Sequence, residues 1–366
     1  MFAWLEKHFN GPQTLGESRF FWASFLAGCL FLLCLPLFAD EYEVGNYTYF
    51  LLHAFLALGL SLIWGQGNIL SFGQMVFFGI GGYSYGVFSV NLLKITQNTF
   101  FSLAMAILFA SCCAGLLGYF LFYGGVSGVY VTIITMVSTM ILETFMAQTA
   151  GPQWTVGLMP LGGYNGMTNI PPLQLNLGGE FPYEFRDARL YYLVAALAIA
   201  AYLGLRKLAN SRYGNALVAV GSNPLRSEML GYDIRMIQFA AFTIAGALAA
   251  ASGGLYAAWG NYINPSVMGL TTAAMPVVWV AFGGRRCLLG CVVSALSLQY
   301  FSQCLSADGS QYALVIQGGV LMLMIMFIPE GVTPPLGRLL GRLASGIFRS
   351  GAGRRLPIER LENNGA

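Results

Sequence analysis

Ten apolar runs set the limits on what this chain can become. They cover about residues 20–38, 47–64, 70–92, 99–123, 127–149, 190–207, 236–259, 270–284, 287–305 and 312–328. A helix needs about 20 apolar residues to cross a bilayer. Only 9% of the residues are charged and 57% are hydrophobic, against about 25% charged in soluble domains. A soluble globular protein is therefore excluded. The reading is an all-α polytopic membrane protein of about ten transmembrane helices, some short or broken, with both termini cytoplasmic. Residues 1–19 read as a cytoplasmic N-terminus, 20–335 as the transmembrane domain and 336–366 as a basic cytoplasmic tail. An outer loop covers about 150–189 and an inner one about 208–234.

Basic residues test this map independently, because loops on the cytoplasmic side carry an excess of Lys and Arg. With the amino terminus inside, Lys7, Arg19, Arg206, Lys207, Arg212, Arg226, Arg235, Arg285, Arg286 and the six tail arginines fall on the inner side. Lys94, Arg186 and Arg189 alone fall outside, which completes all 18 basic residues. The acidic run Asp40, Glu41, Glu43 is also outside. The first apolar run resembles a signal peptide, but Leu37 stands where cleavage wants a small residue and the run exceeds the usual core of about 7–15 residues. It reads as a retained span. A net charge of +3 without a basic, aromatic-laced patch excludes nucleic acid as a partner.

Gly65-Gln66-Gly67-Asn68 and Leu70-Ser71-Phe72-Gly73-Gln74 interrupt one of the most apolar regions with glycines and polar side chains. Irregular backbone at membrane depth survives only where protein buries it or a watery cavity bathes it, and broken segments often carry a transporter's substrate path. The third run is therefore expected to be discontinuous around Gly65–Gly73, with Asn68, Ser71 and Gln74 facing a pore. Thr132, Thr135, Ser138 and Thr139 recur at helical spacing along the fifth run. They either line the path or bond their own backbone carbonyls. Glu143, in the outer third of that run, is the one acid placed well inside a span. Such a carboxylate marks a functional site by default; the alternative is a helix-end group reaching the interface.

The inner loop holds Asn223, Pro224, Leu225, Arg226, Ser227, Glu228, Met229, Leu230 and Gly231. Asn223 suits an N-cap, Pro224 the first helical position and Gly231 the position after the C-cap. A two-turn helix results, with Leu225 and Met229 at i, i+4 on one face. Those apolar residues need either the membrane surface or a partner's socket.

Other patterns carry less. Gly82-Tyr83-Ser84-Tyr85-Gly86 fits G-x-S-x-G, but lies within an apolar helix and lacks a histidine nearby, so G-x-x-x-G helix packing explains it better. His53 is expected to pack within the second span. The seven cysteines (29, 34, 112, 113, 287, 291, 304) sit in apolar runs and read as small buried hydrophobes. No lysine completes a Walker A phosphate loop, so ATP chemistry must lie in another chain.

In the first half, Ser61–Gly65, Leu70–Gln74, Phe77–Tyr83 and Gly128–Thr135 occur in order. Asn165-Gly166, Ala219–Pro224, Leu230–Tyr232, Ala250–Ala257, Trp279–Arg285 and Phe327–Gly331 follow. On these residues the chain resembles, over nearly its whole length, the permease subunits of branched-chain amino acid ABC transporters, a group that includes urea and short-chain amide permeases. Departures are Gln74 where the family usually has His, Arg286 where it usually has Gly, and a shorter, less regular final span. Trp279–Arg285 is closer to the urea type. The resemblance implies a non-enzymatic inner-membrane subunit without a cofactor, forming half of an import path for a branched-chain amino acid or small amide. It further implies two ABC ATPases, a second homologous permease forming a heterodimer, and an extracytoplasmic binding protein. In that scheme Asn223, Pro224, Leu225, Arg226, Glu228, Met229 and Gly231 build the helix that couples to an ATPase. Its rival from another class is a stand-alone secondary transporter or channel. The spans hold almost no acids, and the coupling-type loop would have no purpose in such a protein.

Overall fold

A computed structural model describes residues 9–11, 13–14, 19–176 and 182–307, with positions 315, 318, 319, 322 and 331. Most of the tenth apolar run, the 336–366 tail and most of 1–19 lie outside the described residues.

Helices α1 (Arg19–Cys34), α2 (Glu41–Leu60), α3 (Gln74–Thr96), α4 (Thr99–Tyr123), α5 (Val129–Ala147), α6 (Asp187–Ala209), α7 (Arg212–Ser222), α8 (Pro224–Met229), α9 (Ile234–Gly260), α10 (Leu270–Gly283) and α11 (Leu288–Ala307) follow in order. Among the described residues, 8 segments are long and apolar enough to cross a membrane, and α10 is shorter. Together they match the first nine apolar runs one for one. At 14 residues α10 rises about 21 Å, short of a hydrocarbon core of about 30 Å. Helix α2 begins at Glu41, earlier than its apolar run. Glu41 and Glu43 occupy its first turn, where the helix dipole favours acids.

Helices α2 and α9 are the centre of the bundle. Helix α9 packs along α3 and α4, while α2 packs against α6, α9 and α11. Small residues allow this closeness: a Cβ on Gly253 of α9 would stand 2.6 Å from the carbonyl carbon of Phe78 on α3. Gly82 lies equally tight, 2.9 Å from the Gly253 oxygen by the same measure. Ser84 lies inside α3, with no strand before it, and borders an apolar cavity with Phe88, Phe109 and Met146.

The expected outer loop is not featureless. Among the described residues, it and the α9–α10 connection form three two-stranded antiparallel ribbons, in one of which Met167–Thr168 pairs with Tyr262–Ile263 of that connection. The Asn91 side chain donates to Val156 O at 3.0 Å and accepts from Leu158 N at 2.9 Å, fastening the first ribbon to α3. Thr99 Oγ accepts from Gln174 N at 2.7 Å and Tyr85 Oη donates to Pro171 O at 2.9 Å. Sequence reading missed these anchors, although polar side chains at the ends of apolar runs were the available signal.

Arg206, counted above among the inner-side charges, is only 1% exposed. Its guanidinium donates to Phe9 O at 3.0 Å, Asn10 Oδ1 at 3.2 Å and Tyr202 Oη at 3.1 Å. It also lies over the rings of Phe21 and Trp22, at 4.6 and 4.9 Å from their centroids. Carbonyl, amide and π-face partners compensate the desolvated charge. The arginine thereby binds the chain's start to the end of α6, just ahead of α7.

Candidate functional site

The irregular segment is a connector. Helix α2 continues as a π-turn over Ser61–Gln66, Asn68 takes a left-handed conformation (φ 54°), and α3 then starts at Gln74 and runs without a break to Thr96. The discontinuity expected inside the third crossing thus lies between the second and third. Glu41–Gln66 is 26 residues long, about 39 Å of helix, which crosses the hydrocarbon core unaided. Residues 67–73 consequently sit at one end of the bundle. A continuous helical pattern at 61–66 and an abrupt Gly73 start are hard to tell from a kinked span by hydropathy alone.

Helix α5 holds this connector through its hydroxyls. Thr132 Oγ1 donates to Leu70 O at 3.0 Å, Thr135 Oγ1 accepts from Phe72 N at 3.2 Å, and Thr139 Oγ1 reaches Phe72 O at 3.5 Å. Ser71 Oγ accepts from Gly73 N at 3.1 Å. Thr135 and Thr139 also bond carbonyls one turn back at 2.9 and 2.8 Å, as the second of the two alternatives expects. Ser138 bonds only Ile134 O within its own helix. Asn68 is exposed, whereas Ser71 and Gln74 are buried. The Gln66 Nε2 and Gln74 Oε1 atoms are buried without a hydrogen-bond partner.

The connector's other side meets two backbones. A Cβ on Gly65 would lie 2.7 Å from the Arg285 carbonyl carbon in the α10–α11 turn, and Ser61 Oγ donates to Arg285 O at 3.0 Å. A Cβ on Gly221, near the end of α7, would lie 2.7 Å from the Gly67 carbonyl carbon and 2.8 Å from Gln66 O. Side-chain-free contact of this kind transmits displacement with little slack, because close-packed groups have no room to give.

Helix α8 follows directly. Asn223 Oδ1 accepts from Arg226 N at 3.0 Å, Pro224 is the first helical residue, and Gly231 takes φ +87° after the C-cap Leu230. These are the local signals read from the sequence. Leu225 is 72% and Met229 89% exposed, Arg226 and Glu228 are exposed too, and Ser227 is the residue that turns inward. Behind it, burial raises the phenol pKa of Tyr213 on α7, whose hydroxyl donates to Ile237 O at 2.8 Å and ties α7 to α9.

Glu143 is distant from this end. It is half-buried, and its Oε1 lies 3.2 Å from where a Gly269 Cβ would stand, beside the first residue of α10. A carboxylate at a helix start is favoured by the exposed amide dipoles there. Among the described residues no group of three or more His, Cys, Asp or Glu gathers into a metal site.

Comparison with known proteins gives a consistent result. A family model described as the permease component of the branched-chain amino acid transport system matches residues 44–325. The high-affinity branched-chain amino acid transport system permease protein LivM of Escherichia coli (strain K12) is 25% identical over 333 residues, covering 85% of this chain and 74% of that protein. A probable LivM of Methanocaldococcus jannaschii is 26% identical, covering 74% and 83% respectively. A probable LivH of the same organism is 24% identical, covering 82% and 94%. No solved structure matches.

Proposed function

We propose a coupling route for this chain from the premise that it belongs to the branched-chain amino acid transport permease family. It is a permease subunit of an ABC importer, a multi-pass inner-membrane protein and not itself an enzyme. ATPase and partner permease subunits complete such a transporter. In our reading there are two ATPases, a second homologous permease in a heterodimer and an extracytoplasmic binding protein. The solute is a branched-chain amino acid, and both termini are cytoplasmic. Helix α8 is the coupling element: Leu225 and Met229 seat in an ATPase cleft, with Arg226 and Glu228 at its rim.

A single observation carries this reading. The exposed apolar helix α8 is joined through Gly221 to Gly67, so its displacement reaches the connector that α5 holds by three threonines. When the ATPases close on nucleotide, α8 moves with them, and the connector, α5 and the Arg285 turn shift as a unit. That motion opens or closes the path between the two permeases.

The test is an assembled transporter carrying Leu225→Asp and Met229→Asp together. Burying carboxylates in an apolar socket costs several kcal/mol, so substrate-stimulated ATP hydrolysis and uptake should both vanish while the subunit still inserts in the membrane. Undiminished uptake by the double variant would rule α8 out as the coupling helix.

A further inference from the structure

Phe9, Asn10, Gln13 and Thr14 precede α1 in the chain, yet their polar contacts fall on the corner where α6 ends and α7 begins. Asn210, the C-cap of α6, holds them with both ends of its amide. Its Nδ2 donates to Phe9 O at 3.1 Å and to Thr14 Oγ1 at 2.9 Å, and its Oδ1 accepts from Gln13 N at 3.2 Å. Gln13 Nε2 then crosses to Asn215 Oδ1 on α7 at 3.1 Å. From the other side, Trp22 Nε1 of α1 donates to Asn10 Oδ1 at 3.0 Å, the oxygen that also accepts from Arg206. One short strap thus joins α1, α6 and α7.

Its place gives the strap a task beyond packing. Helix α7 is 11 residues long, about 16 Å, with the strap at its start and the Gly221–Gly67 contact near its end. Helix α8 begins two residues after α7 ends. A push on α8 reaches the connector only if the far end of α7 is held; with that end free, α7 tilts away instead. The holding end does not easily let go. Arg206 is 1% exposed, and parting it from Phe9 O and Asn10 Oδ1 would strip bonds from a desolvated charge, which is costly. We propose that the strap is a fixed anchor for α7, and that Asn210 is the positioning residue through which movement of α8 becomes movement of the connector. This rests on the reading of α8 as the coupling helix.

The experiment uses the assembled transporter in proteoliposomes and reads ATP hydrolysed per leucine imported. Loss of folded subunit lowers both rates and leaves their ratio alone, whereas a loosened anchor raises the ratio. Asn210→Ala should raise it about tenfold, the population shift that two hydrogen bonds hold. Gly11→Cys with Asn210→Cys supplies the converse. A Cβ on Gly11 would stand 2.8 Å from the Asn210 Cβ, within about 1 Å of the separation that a disulfide spans. Reduced, this pair should behave like Asn210→Ala; oxidised, with the bridge confirmed by peptide mass mapping, it should return to the wild-type ratio. An unchanged ratio in folded Asn210→Ala overturns the proposal. So does loss of import on oxidation, because the strap would then have to open during the cycle. Should Asn210→Ala fail to fold, Gln13→Ala with Thr14→Val removes two of the strap's bonds without altering α6, and the same ratio decides. If Leu225→Asp with Met229→Asp abolishes uptake while Asn210→Ala leaves the ratio unchanged, the coupling helix stands and the anchor alone falls.

Discussion

The connector at 61–73 and the loop around α8 lie against each other, yet they are built by opposite means. Helix α8 is locally self-sufficient: its N-cap, its first-position proline and its closing glycine are all within nine residues of chain, 223–231. The connector has few such provisions. Its backbone is satisfied by threonines more than 60 residues away in the chain, and its glycines matter because Arg285 and Gly221 press on them. Locally capped structure tolerates change one residue at a time, whereas a tertiary joint fails when any partner is altered.

Five substitutions sharpen or break this contrast, read as changes in stability of the purified subunit. Gly65→Val should be the most damaging. Its side chain would enter the Arg285 backbone, an overpacking cost of about 3 kcal/mol, so little folded protein should be recovered. Thr135→Val keeps the shape and removes the hydroxyl that Phe72 N–H uses, for a loss of about 1–3 kcal/mol. Ser138→Ala, whose partner is its own helix, should change almost nothing. Equal effects at 135 and 138 would show that α5 does not hold the connector. Asn223→Ala removes a local cap at about 1 kcal/mol, with the loss confined to α8 as read by amide hydrogen exchange. Leu225→Asp should shift stability least, within about 0.5 kcal/mol, since that side chain is already in solvent. A large destabilisation there would mean that α8 packs on its own subunit and is not free to dock elsewhere.

Much of the architecture was legible without coordinates. Lipid demands long apolar helices with internally bonded backbones, so hydropathy located the eight described helices long enough to cross and the shorter α10, and the α8 caps announced themselves because Asn, Pro and Gly act on their immediate neighbours. The polar interruption at 65–74 was also visible. Its place was not, because residues 61–66 continue a helical pattern and only the fold shows α2 long enough to reach the far end of the bundle. The hydroxyls of Thr132, Thr135 and Thr139 gave a periodic stripe in the sequence, but whether they faced a solute or a neighbour's backbone depended on what packs opposite.

Sequence by itself determined what must be apolar, where α8 begins and ends, and that this short helix carries apolar residues in need of a partner, since each is decided by bonds and solvation within a few residues. Only the tertiary structure decided that Gly221 touches Gly67 and that Arg206 binds the chain's start. Those pairings join positions far apart in the chain, and backbone approach, unlike a cap or an apolar run, leaves no local signature in the residues that make it.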